Sequence, residues 1–175
     1  MRTPSIRRTF GSITEPARQV DGIHEADVLV VGSGPAGLAA ALGAARAGAE
    51  VTLVGRFGCY GGNITAVGVE GMAWYRHEHT VEADGIGREF ETRAFEMGAA
   101  VQESQSQSYE LDSEGFKLVA DRLVEEAGIN GVQHAELLAI LRDRPDGSQA
   151  GPSARAPHEV PRGLIDAAMA SAATR

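Results

Sequence analysis

Six residues, Gly32-Ser-Gly-Pro-Ala-Gly37, constrain this chain more than any others, because they stand between a strand pattern and a helix pattern. Asp27-Val-Leu-Val-Val-Gly32 is a short apolar run rich in β-branched residues, the texture of a strand buried in a parallel sheet. From Pro35 to Ala47 the chain is rich in Ala and Leu, and the small Ala41 suits close packing on a strand. A proline in the first helical turn costs no hydrogen bond, since those N–H groups have no intrahelical partner. Gly48 stands where a helix ends, and Glu50-Val-Thr-Leu-Val54 reads as a second strand. Strand, tight turn, helix and strand occupy about 28 residues, the size of one βαβ unit.

In that setting each glycine has a physical task. Gly32 permits a sharp turn out of the strand, and Gly34 leaves the backbone bare enough for a pyrophosphate to approach. Gly37 lets the helix pack against the sheet. Free N–H groups around Ala36 and Gly37, with the helix dipole, favour an anion there. A carboxylate about 20 residues further on usually accepts the ribose hydroxyls. This chain has Gly55 and Arg56 at that point, and no acid. A missing carboxylate beside an arginine also suits a 2′-phosphate, which keeps an NADP site open as the alternative. The second glycine pair, Gly61-Gly62, argues against it, because a plain nicotinamide site has no obvious need of another close backbone approach.

Charge and composition exclude several classes. A net charge of −8 gives no basic stripe to neutralise a phosphate backbone, so no nucleic-acid partner is expected. Twenty-two glycines against 5% aromatic residues make tight turns matter more than ring stacking. Cys59 is the lone cysteine, which excludes an internal disulfide and a four-cysteine metal site. It is read as a structural thiol in a turn. The longest apolar stretch, Val28 to Ala45, is broken by the Gly-Ser-Gly-Pro turn, so no membrane span is expected. Arg7-Arg8 has no hydrophobic run after it and is not an export signal, which makes the cytoplasm the expected address. His77-Glu78-His79 lacks a third ligand and is read as a surface cluster, with no metal. Trp74 and Tyr75 are read as core. Asp84, Glu89, Glu91, Glu125 and Glu126 are read as solvated helix faces.

The chain divides into an extended lead-in over 1–25, an α/β domain over 26–141, and a disordered or degenerate tail over 142–175. The tail is dense in Pro, Gly and Ser and ends in alanines. Within the domain, Ile64 to Val69 leans to β structure and Gly85 to Met97 suggests a helix. The polar run Gln102 to Tyr109 reads as a loop. Asp112 caps a helix from Ser113 to Ala127, whose apolar positions Phe116, Val119, Ala120, Leu123, Val124 and Ala127 share one face. Val132 to Leu141 fits a strand or a helix equally.

The segment Glu25-Ala-Asp-Val-Leu-Val-Val-Gly-Ser-Gly-Pro-Ala-Gly37, together with Arg56-Phe-Gly-Cys-Tyr-Gly-Gly-Asn63, resembles the FAD-dependent oxidoreductase family. Within it, the chain is most similar to the branch with a Gly-Gly loop after the second strand, which includes relatives of the heterodisulfide reductase flavoprotein subunit. The resemblance spans residues 14–141, from Thr14-Glu-Pro-Ala-Arg18 onward. It implies a Rossmann-like βαβ FAD-binding unit with a parallel sheet, incomplete, plus helices. It implies that Gly32, Ser33, Gly34, Pro35, Ala36 and Gly37 line the FAD pyrophosphate and that Arg56 lies beside the adenosine. Gly61, Gly62 and Asn63 would run along the pyrophosphate and ribityl chain. Gly55 stands where the family carries Glu, and losing that charge-assisted bond costs about 1.5–3 kcal/mol of cofactor binding.

The resemblance weakens toward the C-terminus. Leu164-Ile-Asp-Ala-Ala-Met-Ala170 begins like the family's strand before an Ala-Thr-Gly-Asp turn, then carries Ala168, Met169 and Ala170 in place of Thr, Gly and Asp. The expectation is a truncated N-terminal portion of a flavin-dependent hydride- or electron-transfer enzyme acting on a small-molecule substrate. No catalytic acid or base stands out. The other reading is a non-catalytic remnant, and self-association through an incomplete sheet is expected in either case.

Overall fold

Val28–Val31 forms the first strand, β1, and its N-terminal edge is set by Asp27, whose carboxylate accepts the Glu50 N–H at 2.8 Å. The structure, a computed structural model, describes residues 22–72, 76–77, 80–81, 84–104, 108–143, 149–150 and 165–171. After β1 come helix α1 (Pro35–Arg46) and strand β2 (Val51–Val54). Short strands β3 (Gly71–Met72), β4 (Arg76–His77) and β5 (Thr80–Val81) precede helix α2 (Ile86–Glu96). Strands β6 (Ala100–Gln102) and β7 (Tyr109–Leu111) lead to helix α3 (Ser113–Glu126). The chain continues as β8 (Asn130–Val132), β9 (Ala135–Asp143), β10 (Gln149–Ala150) and β11 (Ile165–Ser171).

The parallel sheet has the order β1-β2-β8, with Val28 opposite Val51 and Thr52 opposite Asn130. All four residues of the central strand β2 are buried, as expected of a strand with neighbours on both edges and cover on its faces. Leu38, Ala41 and Leu42 of α1 meet Leu53 in the core, and Phe116, Val119 and Leu123 of α3 join the same cluster. Each of the leucine, valine and phenylalanine side chains contributes about 1.5–3 kcal/mol by leaving water. Phe90 of α2 meets Phe116 edge-on at 5.8 Å between ring centres. On the outer surface, Arg46 grips Glu89 with two bonds of 2.7 and 2.8 Å, and Arg93 reaches Glu126 at 2.6 Å. These pairs link α1 to α2 and α2 to α3.

The Rossmann-like α/β architecture expected from the sequence is present, with three parallel strands. The cap of α3 also holds, since the Asp112 carboxylate accepts the Gly115 N–H at 2.7 Å. Four local readings are changed, settled or trimmed. Ile64–Val69 is not extended: Ile64, Ala66 and Val69 donate back to Gly61, Gly62 and Asn63, closing consecutive turns. Gly61 and Gly62, both at positive φ, start that reversal before the β-branched residues can extend. The run expected as a loop over 102–109 keeps that character at its described residues 103, 104 and 108, while its ends, Gln102 and Tyr109, belong to β6 and β7, which pair antiparallel. The region from Val132 to Leu141 is strand apart from the connection Gln133-His134, because β8 finds β2 and β9 finds β11. Glu91 is 2% exposed and does not lie on a solvated face, since α2 is covered by more than its apolar stripe.

A separate antiparallel sheet has the order β10-β9-β11. Two of its strands fall in the stretch 142–175, read from composition as disordered or degenerate. Here β10 and β11 pair antiparallel with the two edges of β9.

Candidate dinucleotide-binding site

The glycine turn follows the end of β1, where Gly32 sits at φ +106° and donates its N–H to Val54 O at 2.8 Å. A side chain is strained in that conformation, which explains the glycine. Gly34 is the N-cap of α1, with Pro35 at the first helical position. The Leu38 N–H bonds back to Gly34 O, so the N–H groups of Ala36 and Gly37 precede the first intrahelical bond. Gly37 packs so tightly that a Cβ on it would run into the Gly32 carbonyl and come within 3.6 Å of Val30 Cγ1. The turn itself therefore enforces Gly37, while Val30 on the strand stands at ordinary contact distance.

The second glycine pair returns to this turn. Gly61 donates its N–H to Ser33 O at 2.8 Å, and a Cβ on Gly62 would stand 2.6 Å from Gly34 Cα. A Cβ on Gly34 would instead enter open space, with Gly62 Cα at 4.0 Å as its nearest neighbour. The two bare backbones thus meet in contact beside a helix N-terminus; a Cβ on Gly34 would enter the open crevice there, whereas one on Gly62 would collide with Gly34. Such a cradle fits a diphosphate. Asn63 is exposed beyond it, with its carbonyl accepting the Val69 N–H.

At the end of β2 the surroundings come from far along the chain. Gly55 donates to Val132 O at 2.8 Å and accepts from Ala135 N at 3.0 Å. Ser33 Oγ lies 2.5 Å from the point where a Cβ on Gly55 would stand. Arg56 is exposed, and its Nε meets Glu136 Oε1 at 2.8 Å. His134, at φ 57°, lays its ring against Gly58, and the Tyr60 hydroxyl presses on Gly131. Burial pushes the Tyr60 phenol above its ordinary range, against the lowering effect of a bond with Gln133. Cys59 is half-buried and its thiol contacts Thr65 Oγ1 at 3.6 Å, in keeping with a structural thiol in a turn.

The structure therefore brings Gly32, Ser33, Gly34, Pro35, Ala36, Gly37, Gly61 and Gly62 together and places Arg56 at the neighbouring strand end. Sequence reasoning missed Glu136, His134 and Tyr60, because no local spacing connects them to the turn. Trp74, Tyr75, Glu78 and His79 lie outside the described residues. Among the described residues, no group of three or more His, Cys, Asp or Glu could hold a metal ion, and no helix is long and apolar enough to cross a membrane.

Parallel strands, a glycine turn at a helix start and a second bare loop define a dinucleotide-binding α/β protein. Residues 27–159 match the FAD dependent oxidoreductase family, and the chain belongs to that family, with FAD as its cofactor. No curated protein matches the sequence. Among solved structures, aklavinone-11 hydroxylase, crystallised with FAD and aklavinone, is 16% identical with a TM-score of 0.52. The match covers 87% of this chain and 31% of the hydroxylase. THI4 of Thermovibrio ammonificans is 21% identical over 71% of this chain and 44% of its own, with a TM-score of 0.49. A geranylgeranyl bacteriochlorophyll reductase-like protein of Thermoplasma acidophilum is 22% identical over 73% of this chain and 34% of its own, with a TM-score of 0.48. The chain thus spans less than half the length of each of these structures, and the likeness is one of fold.

Proposed function

We propose that this chain binds FAD in the crevice beside Gly34, at the N-terminus of α1, and serves a flavin-dependent oxidoreductase acting on a small-molecule substrate. The observation that carries this reading is the bare backbone of Gly34 at the N-terminus of α1, packed against Gly62 and open where a side chain would otherwise stand. Gly32, Ser33, Gly34, Pro35, Ala36 and Gly37 would line the pyrophosphate, with the N–H groups of Ala36 and Gly37 and the helix dipole favouring its charge. Gly61, Gly62 and Asn63 would follow the same chain onward, and Arg56 would flank the adenosine. When bound, FAD supplies hydride and electron transfer, and the protein contributes binding and orientation. The Gly-Gly loop also supports placing the chain in the branch related to the heterodisulfide reductase flavoprotein subunit.

An NADP site would need Arg56 to face a 2′-phosphate. Its guanidinium is instead held by Glu136, a carboxylate that would repel that phosphate. The test is a calorimetric titration of the full chain with FAD and, separately, with NADPH. FAD is expected to bind, and Gly34→Val to abolish binding while the melting temperature stays near that of the parent. A chain that ignores FAD and takes up NADPH would overturn the reading.

A further inference from the structure

We infer that Glu136 supplies the carboxylate for the adenosine ribose, from β9 instead of from the end of β2. The inference rests on the reading of the glycine crevice as the FAD site. A pyrophosphate on that crevice directs its nucleoside over the C-terminal end of β2, where a carboxylate usually meets the ribose hydroxyls. Position 55 has no side chain, and the space beside it is taken by the Ser33 hydroxyl. The chain segment that borders Gly55 is the β8–β9 connection, anchored by bonds from Gly55 N to Val132 O and from Ala135 N to Gly55 O. Glu136 follows Ala135 directly, on the central strand of the antiparallel sheet, where its backbone pairs with Ala170. Arg56, the neighbour of Gly55, then fixes the carboxylate through Nε at 2.8 Å.

Two features favour a binding role over a structural one. The pair is exposed, with side-chain accessibilities of 74% and 56%, and exposed ion pairs contribute little to stability. A carboxylate offers about four lone-pair positions, so one bond to Arg56 leaves acceptors for two vicinal hydroxyls.

The experiment titrates the full chain with FAD, ADP and 2′,3′-dideoxy-ADP by calorimetry, using the parent, Glu136→Gln, Glu136→Ala and the exposed control Glu110→Gln. The parent is expected to bind ADP about tenfold to a hundredfold more tightly than the dideoxy compound, the range for a charge-assisted bond. Both Glu136 variants should lose that preference while binding the dideoxy compound as the parent does, and Glu110→Gln should keep it. A Glu136→Gln protein that still discriminates as the parent does, or a parent that does not discriminate at all, overturns the assignment of Glu136 while FAD binding stands. If the parent binds no FAD, the crevice reading itself fails and takes this inference with it.

Discussion

The Gly61 N–H donates to the Ser33 carbonyl at 2.8 Å, and this one bond docks the second glycine loop onto the first. It sets Gly62 against Gly34 and so fixes one wall of the crevice. The two glycines are not equivalent, and that asymmetry can be measured.

Gly34→Ala places a methyl group in open space, so the apo protein should lose less than about 1 kcal/mol, the scale of an N-cap change. FAD affinity should nevertheless fall at least about tenfold, because the methyl group enters the cradle. Gly62→Ala should fail on both counts. Its φ of +53° strains a side chain, and its Cβ would meet Gly34 Cα at 2.6 Å, costing about 1–3 kcal/mol. Urea unfolding alongside FAD titration separates the two outcomes.

Restoring an acid at position 55 should not restore a ribose contact by itself. A Cβ there would meet Ser33 Oγ at 2.5 Å and Ser33 Cβ at 3.1 Å. Gly55→Glu is expected to leave FAD affinity unchanged or weaker, whereas Gly55→Glu with Ser33→Gly should bind more tightly than either single variant. Additive single effects would sink this account.

Gly131→Ala should destabilise the fold by about 1–3 kcal/mol, because its Cβ would run into the Tyr60 hydroxyl. Removing that hydroxyl relieves the collision. In thermal melts Tyr60→Phe should therefore rescue part of the loss in the Gly131→Ala protein, and a double variant no better than Gly131→Ala would refute the packing argument.

The Arg46–Glu89 pair predicts an acid-side effect. Hydrogen bonding from Arg46 lowers the Glu89 carboxyl below its ordinary value of 4.5. A lowered carboxyl contributes stability that is fully present above the ordinary glutamate range and is lost as pH falls through the folded value. The contribution is below about 1 kcal/mol, as the pair is partly exposed. Urea midpoints of the parent and Glu89→Gln should differ at neutral pH and converge in acid; a gap that widens in acid would contradict the sign.

The elements that could be read in advance are those whose causes are local. β1, the glycine turn, α1 and β2 follow one another without interruption, and α3 announces itself through Asp112 and its apolar stripe. The reading failed where a partner decides the outcome. Ile64–Val69 has β-branched residues but is folded back by Gly61 and Gly62. Glu91 sits beside Phe90 on α2 and is covered along with it, which the helix period alone does not indicate.

What the sequence by itself determined is the glycine turn from β1 into α1, because missing side chains at Gly32, Gly34 and Gly37 act over a single turn and need no distant partner. Only the tertiary structure decided what stands at the end of β2. There Glu136, His134 and Tyr60 arrive through the pairing of β2 with β8 and the bonds of Gly55 to the β8–β9 connection. Such neighbours are chosen by strand register, which depends on the whole core being assembled and leaves no periodic trace in the chain.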